Sequence, residues 1–317
     1  LGLFAAFLVN YLIANASGGA SEIFLWGFQA WQWMFWVECV PVSLFLIGLF
    51  FIPESPRYLV ADGRSEAAES VLASVSSPEE ARVQVGDIEK TLTKGERPRL
   101  RDLIDASRGK VHPIVWVGLC IAGLQQLVGI NVVFYYGEVL WRSAGFSEND
   151  ALLINVISGF INVASTVGAI LLVDRWGRKP LLITGACMMT VFLTVLAIVF
   201  SDAKLGADGN LILSDTAGIV ALLSANLYLI GFGISWGPVM WVLLGEMFPN
   251  RYRGAALSFA GLTQWLANFL VTVTFPVLLG YIGLGGAYSI YAIFAIIAAF
   301  YAWRVVPETK GKTLEQM

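Results

Sequence analysis

The strongest constraint on this chain is the recurrence of long apolar runs. They occupy residues 1–15, 31–52, 113–137, 151–173, 180–201, 216–243, 255–279 and 284–305. A hydrocarbon core of about 30 Å is crossed by roughly 20 apolar residues in an α-helix. In lipid, a helix satisfies its backbone N–H and C=O groups within the segment itself. The fold class that follows is an all-α membrane protein with eight transmembrane helices. Composition agrees: 57% of residues are hydrophobic and 14% are charged, where a soluble domain carries roughly 25% charged residues.

A net charge of −3 leaves no electrostatic footprint for nucleic acid. Cys39, Cys120 and Cys187 lie inside apolar runs and read as small core residues, not as a disulfide framework or metal set. The single histidine, His112, falls at a membrane boundary. An intramembrane enzyme would need a nucleophile with a base, or clustered carboxylates and histidines, within the spans. The runs carry no such group, so neither catalysis nor a cofactor is expected. The chain opens at Leu1 inside an apolar run, which makes a preceding segment expected.

Charge sets the orientation. Of the 20 Lys and Arg residues, all but Arg142 and Lys204 fall in the connections 53–112, 174–180 and 247–254 or in the stretch from Arg304 onward. Basic residues mark the cytoplasmic face, so the C-terminus is expected there. The longest connection, 58–112, is amphipathic. "RSEAAESVLASV" and "RLRDLIDASRG" place apolar residues at helical spacing, and "SPEEARVQVGDIEKTLTKG" starts with Ser77, Pro78 and Glu80, a capping box. Three short cytoplasmic helices are predicted. The domain reading is 1–57 as two transmembrane helices of one half, 58–112 as a cytoplasmic helical bundle and 113–317 as a six-helix half. "PESPR" (53–57) and "PETKGKT" (307–313) close spans six apart, the period of carriers built from two six-helix halves.

Amides occur where hydrocarbon is expected. "GLQQLVGINVVFYY" carries Gln125, Gln126, Asn131 and Tyr135, with Asn162, Gln264 and Asn268 in later spans. An unpaired polar group in lipid costs several kcal/mol, so these side chains must face protein or water. Gly123 and Gly129 bracket the glutamines and weaken that helix by about 1 kcal/mol each relative to alanine. An amide both donates and accepts, so one glutamine bridges two vicinal hydroxyls, while Trp241 and Trp265 offer faces for an apolar sugar surface. No Lys or Arg sits well inside a span, which argues against a charged substrate. The same amides would also serve to hold helices together, at roughly 0.6 kcal/mol each.

"PESPRYL", "QQLVGIN", "DRWGRKP", "SWGPVMWVLLGEMFPNRYRG" and "PETKGKT", in this order and at these span ends, resemble the signatures of the sugar porter family of the major facilitator superfamily. The resemblance implies eight of twelve transmembrane helices plus the family's cytoplasmic bundle, with Leu1 inside the fifth helix. It implies a secondary transporter of a neutral monosaccharide such as glucose or xylose, working by alternating access with proton symport. The alternatives are a facilitative uniporter and a transporter-like sugar sensor. By resemblance Gln125, Gln126, Asn131, Trp241 and Gln264 contact sugar, and Tyr135, Asn162, Gly237 and Trp265 lie near it.

"GFGISWGPVMW" resembles the gating hinge of the family's tenth helix. Arg57, Asp174, Arg178, Glu246 and Arg253 resemble its cytoplasmic gating salt-bridge network, although a solvated basic rim accounts for any one of them singly. Glu38, well inside a span, matches a secondary acidic position; burial should raise its pKa and fit it for proton coupling. Gln32 departs from the family's usual arginine. The resemblance further implies a plasma membrane or bacterial inner membrane, contact with lipid, and a full-length protein working as a monomer. Residues 1–317 alone are not expected to transport.

Overall fold

The computed structural model describes residues 1–94, 103–105, 109–206, 211–249 and 252–311. Two compact units emerge, Leu1–Met34 with Leu103–Met317, and Phe35–Asp102.

Helix α1 (Gly2–Ser17) ends at Gly18 and leads through a short hairpin, β1 (Ile23–Leu25) and β2 (Phe28–Gln29), into α2 (Ala30–Val37) and α3 (Cys39–Leu49). The expected span 31–52 is present as the apolar run Ala30–Leu49, with α2 and α3 meeting at Glu38, whose backbone stays helical at φ −62°, ψ −23°. Past it, α4 (Pro56–Ala61), α5 (Ser65–Ala73) and α6 (Pro78–Lys94) form a small bundle. Its core is Leu59, Val60, Ala68 and Val85. The capping box is present: Ser77 Oγ accepts from the Glu80 N–H at 3.3 Å, and the Ser77 N–H donates to Glu80 Oε2 at 3.5 Å.

Two of the three expected amphipathic helices are therefore α5 and α6, and α4 is additional. The third, around "RLRDLIDASRG", needs correction. Most of it lies outside the described residues, and where described it is a strand, β3 (Ile104–Asp105), paired antiparallel with β4 (Lys110–Val111). The His112 N–H donates to the Leu103 carbonyl at 3.0 Å, and Leu103 is buried in the membrane unit's core. That tertiary anchor overrides the helical periodicity.

The remaining helices build the membrane unit. The expected span 113–137 is three pieces, α7 (Pro113–Leu127), α8 (Ile130–Tyr135) and α9 (Gly137–Ser143). Then come α10 (Glu148–Trp176), α11 (Arg178–Asp202), a two-residue pairing of β5 (Lys204–Leu205) with β6 (Leu211–Ile212), α12 (Asp215–Gly233) and α13 (Pro238–Met247). The spans 255–279 and 284–305 are two helices within α14 (Arg253–Arg304), separated by the kink at Gly283, where φ is 67° and ψ −179°. Helix α14 lies against α7 and α11, α11 against α12, and α1 along α10.

Close helix crossings use small residues, the usual device where lipid supplies no hydrophobic drive. A Cβ on Gly231 would come within 2.9 Å of Met188 Cβ, and one on Gly233 within 2.7 Å of Ser165 Cβ. These two glycines of "GFGISWGP" therefore sit at crossings, while the helix break itself lies at residues 234–237.

The three cysteines correct the sequence reading. Cys39, Cys120 and Cys187 are all exposed, not core residues.

Candidate functional site

Two broken helices meet in the membrane unit. Helix α7 stops at Leu127, and Gly129 takes the left-handed conformation at φ 84°, ψ 18° before α8 begins. Gly123, expected to share in this weakening, lies inside α7 with only Thr263 nearby. The second break separates α12 from α13 at residues 234–237, with Pro238 at the first helical position, where its missing N–H costs nothing.

The breaks brace one another. A carbonyl freed from helical bonding in lipid needs a donor. Tyr228 on α12 reaches across to donate its hydroxyl to the Val128 carbonyl at 3.0 Å. Gln125 on α7 returns the bond, donating Nε2 to the Trp236 carbonyl in the other break at 3.2 Å. A third defect, Pro276 inside α14, leaves the Thr272 carbonyl without its helical N–H partner. The Tyr136 hydroxyl fills that vacancy at 3.0 Å.

The amides form one network around the first break. Asn131 Nδ2 donates to Gln126 Oε1 at 2.5 Å, Gln126 Nε2 donates to Gln125 Oε1 at 3.0 Å, and Gln264 Nε2 on α14 donates to the same Gln125 Oε1 at 3.2 Å. Gln125, Gln126 and Gln264 are 4%, 5% and 9% exposed. No charged group enters these bonds. Gln264 Oε1 is buried without a hydrogen-bond partner, so the cluster retains an acceptor able to take a hydroxyl hydrogen.

The other sequence-selected residues do not join this network's hydrogen bonds. Gly237 closes the second break, its N–H donating to the Phe232 carbonyl at 3.0 Å. Tyr135, Trp241 and Trp265 are exposed. Asn162 is half-buried, and its backbone carbonyl accepts from Thr166 Oγ1 at 2.9 Å. Asn268 is held locally, accepting from Thr272 Oγ1 at 3.0 Å. Sequence reasoning missed Tyr228 and Tyr136. Their roles depend on which carbonyl lies one helix away, and neighbouring sequence carries no sign of that.

A charged cluster lies at the basic ends of the helices. Arg178 grips Glu246 with two bonds, Nε to Oε2 at 2.9 Å and Nη2 to Oε1 at 2.5 Å, while Nη1 lies 2.9 Å from Asp174 Oδ1. Glu308 caps the start of α11, accepting from the backbone N–H groups of Arg178 and Lys179 at 3.1 Å each, and Thr309 Oγ1 donates to Glu246 at 2.5 Å. Burial pushes the Glu308 carboxyl upward. Backbone N–H donors from Lys310, Arg178, Lys179 and Thr309 outweigh that and hold it below the usual carboxylate range.

Arg253 stands apart, donating Nε to the Phe248 carbonyl at 3.0 Å, and makes no ion pair among the described residues. Arg57 opens α4 in the other unit. Glu38, expected to be buried, is exposed where α2 meets α3. The burial that was to perturb it is not provided by the described residues.

A bundle of apolar helices, broken beside buried and uncharged hydrogen-bonding groups, defines a multispanning membrane carrier of the major facilitator fold. Solved structures agree. The inward-open xylose transporter XylE from E. coli has a TM-score of 0.76 at 39% identity, covering 99% of this chain and 61% of that one. Its partially occluded inward-open form has a TM-score of 0.77 at 37% identity, covering 98% and 61%.

The chain belongs to the sugar transporter family: the family described as "Sugar (and other) transporter" matches residues 1–317. A glucose transport protein of Synechocystis sp. is 50% identical over 317 residues, all of this chain and 67% of the relative. The D-xylose-proton symporter of Escherichia coli K12 is 40% identical over 322 residues, all of this chain and 61% of the relative. The chain thus spans about two thirds of the length of these relatives.

Proposed function

We propose that this chain forms the larger part of a carrier that moves a neutral monosaccharide of the glucose or xylose kind across a membrane, in symport with a proton. The observation that carries the reading is the amide network. Donors and acceptors from α7, α8 and α14 converge on one place beside two helix breaks, and a buried acceptor on Gln264 is left open. A sugar ring presents vicinal hydroxyls that both donate and accept, which suits amides better than ions. Alternating access would proceed by rocking of packed halves, with the helix breaks absorbing the backbone change.

In this reading Gln125, Gln126, Asn131, Trp241 and Gln264 bind the sugar directly. Trp265, Tyr135, Asn162 and Gly237 complete its surroundings. Arg178, Asp174 and Glu246, with Arg57 and Arg253, act in closing the basic end, which faces the cytoplasm. Glu38 is a candidate for proton coupling. The domain reading 1–57, 58–112 and 113–317 and a plasma or inner membrane location belong to the same proposal.

Sugar titration of the full-length carrier tests the site. Gln126→Ala should weaken binding at least tenfold, because it removes the bridge between Asn131 and Gln125. Affinity equal to the parent's in calorimetry would refute it. Uniport is the competing reading: the Synechocystis relative is named a glucose transport protein. Sugar-driven alkalinisation outside proteoliposomes supports symport, and sugar uptake without it supports uniport.

A further inference from the structure

A polar cavity lies close to the amide network, on the side away from the basic end. It has a volume of about 170 Å³ and is lined by Phe7 and Asn10 of α1, Phe134 and Tyr135 of α8, Gly137 and Glu138 of α9, and Leu152 and Asn155 of α10. This is room for several waters or one small ring.

Asn155 gives the cavity its character. It is 7% exposed, yet its side chain makes no hydrogen bond among the described residues, and neither does that of Asn10. Buried amides in a membrane bundle are normally satisfied, so the buried Asn155, lining this cavity beside the half-buried Asn10, points to a ligand that supplies donors and acceptors. Gly137 makes the space: a Cβ there would overlap the Asn155 amide. Phe7 and Phe134, with ring centroids 6.3 Å apart, provide apolar faces.

The position gives the cavity a role. Tyr135 stands one helical turn beyond Asn131, a member of the amide network. Glu138 lines both this cavity and a larger outer one of about 650 Å³, bounded also by Arg142, Phe146 and Glu148. The carboxylate of Glu138 is answered by Arg142 at 3.3 Å, which leaves the polar lining of the inner cavity essentially neutral.

We propose that the cavity between α1, α8 and α10 is a staging subsite, where Asn10 and Asn155 hold a neutral monosaccharide on its way between the outer cavity and the amide network. This rests on the sugar-carrier reading above and adds to it a second set of ligands and a direction of approach.

The test is the rate of association of D-xylose or D-glucose with the full-length carrier, read as the change in tryptophan fluorescence in stopped flow. Asn155→Leu and Asn10→Leu keep the branched shape and heavy-atom count of the side chain and remove the hydrogen-bonding groups. Each should slow association and dissociation together by about fivefold, leaving the equilibrium Kd within twofold, and Asn155→Gln should recover most of the rate. A merely structural loss would raise Kd instead. If both leucine variants associate at the parent's rate, or lose affinity without a change in association rate, the staging subsite is refuted. If one variant fails to reach the membrane, the other carries the same readout. The carrier reading fails separately, on an unchanged Kd in Gln126→Ala.

Discussion

Gly129→Ala isolates the physics of the first helix break. Gly129 holds φ 84°, and a Cβ there would lie 2.7 Å from ring carbons of Tyr291, a side chain only 3% exposed. The left-handed backbone costs an L-residue about 1–2 kcal/mol. Forcing a methyl against a buried ring that cannot swing away costs about 1–3 kcal/mol more. Together the substitution should destabilise the protein by about 2–5 kcal/mol. At roughly 2 °C per kcal/mol for a chain of this size, the melting temperature of the detergent-solubilised full-length carrier should fall by about 4–10 °C.

The two contributions separate in a cycle. Adding Tyr291→Leu gives the methyl room, so the double variant should regain the steric part relative to Tyr291→Leu alone and keep the backbone part. A Gly129→Ala protein melting within 1 °C of the parent would show that neither the positive φ nor the contact with Tyr291 constrains the break, and the account of the broken helix would fall with it.

Two further outcomes follow from bonds at other defects. Tyr136→Phe should cost about 1–3 kcal/mol by stranding the Thr272 carbonyl that Pro276 leaves open; in Pro276→Ala, which restores the missing N–H, the same change should cost well under 1 kcal/mol, and equal costs in both backgrounds would disprove the pairing. At the basic end, the folded Glu308 carboxyl titrates below its ordinary value of 4.5, so its contribution is complete above that range and is lost as pH falls through the lower folded value. Melting curves from pH 7 down to pH 3 should show the parent losing its advantage over Glu308→Gln only at the acid end; an advantage that instead disappears between pH 7 and 6 would contradict the sign.

The eight apolar spans were legible because each is a local count of residues against the thickness of a bilayer. The amides were legible too, since Gln125, Gln126, Asn131 and Gln264 are out of place in hydrocarbon whatever the fold. Their arrangement was not. Nothing local to "GLQQLVGIN" says that Gln125 reaches the Trp236 carbonyl, or that Tyr228 returns a bond to Val128, across more than 90 residues of sequence. The helix expected across "RLRDLIDASRG" is replaced by strand at its described residues Ile104–Asp105, for the same reason. Its periodicity was helical, but Leu103 is held by the core it enters and by the bond from His112.

By itself, then, the sequence determined the solvent in which this chain lives, its multispanning helical character and the uncharged character of its interior, because hydropathy and backbone satisfaction act residue by residue. Only the tertiary structure decided which backbone carbonyls are left open and which side chains close them. Those pairings depend on two distant helices being brought within hydrogen-bond reach, a distance of about 3 Å that no stretch of one helix encodes.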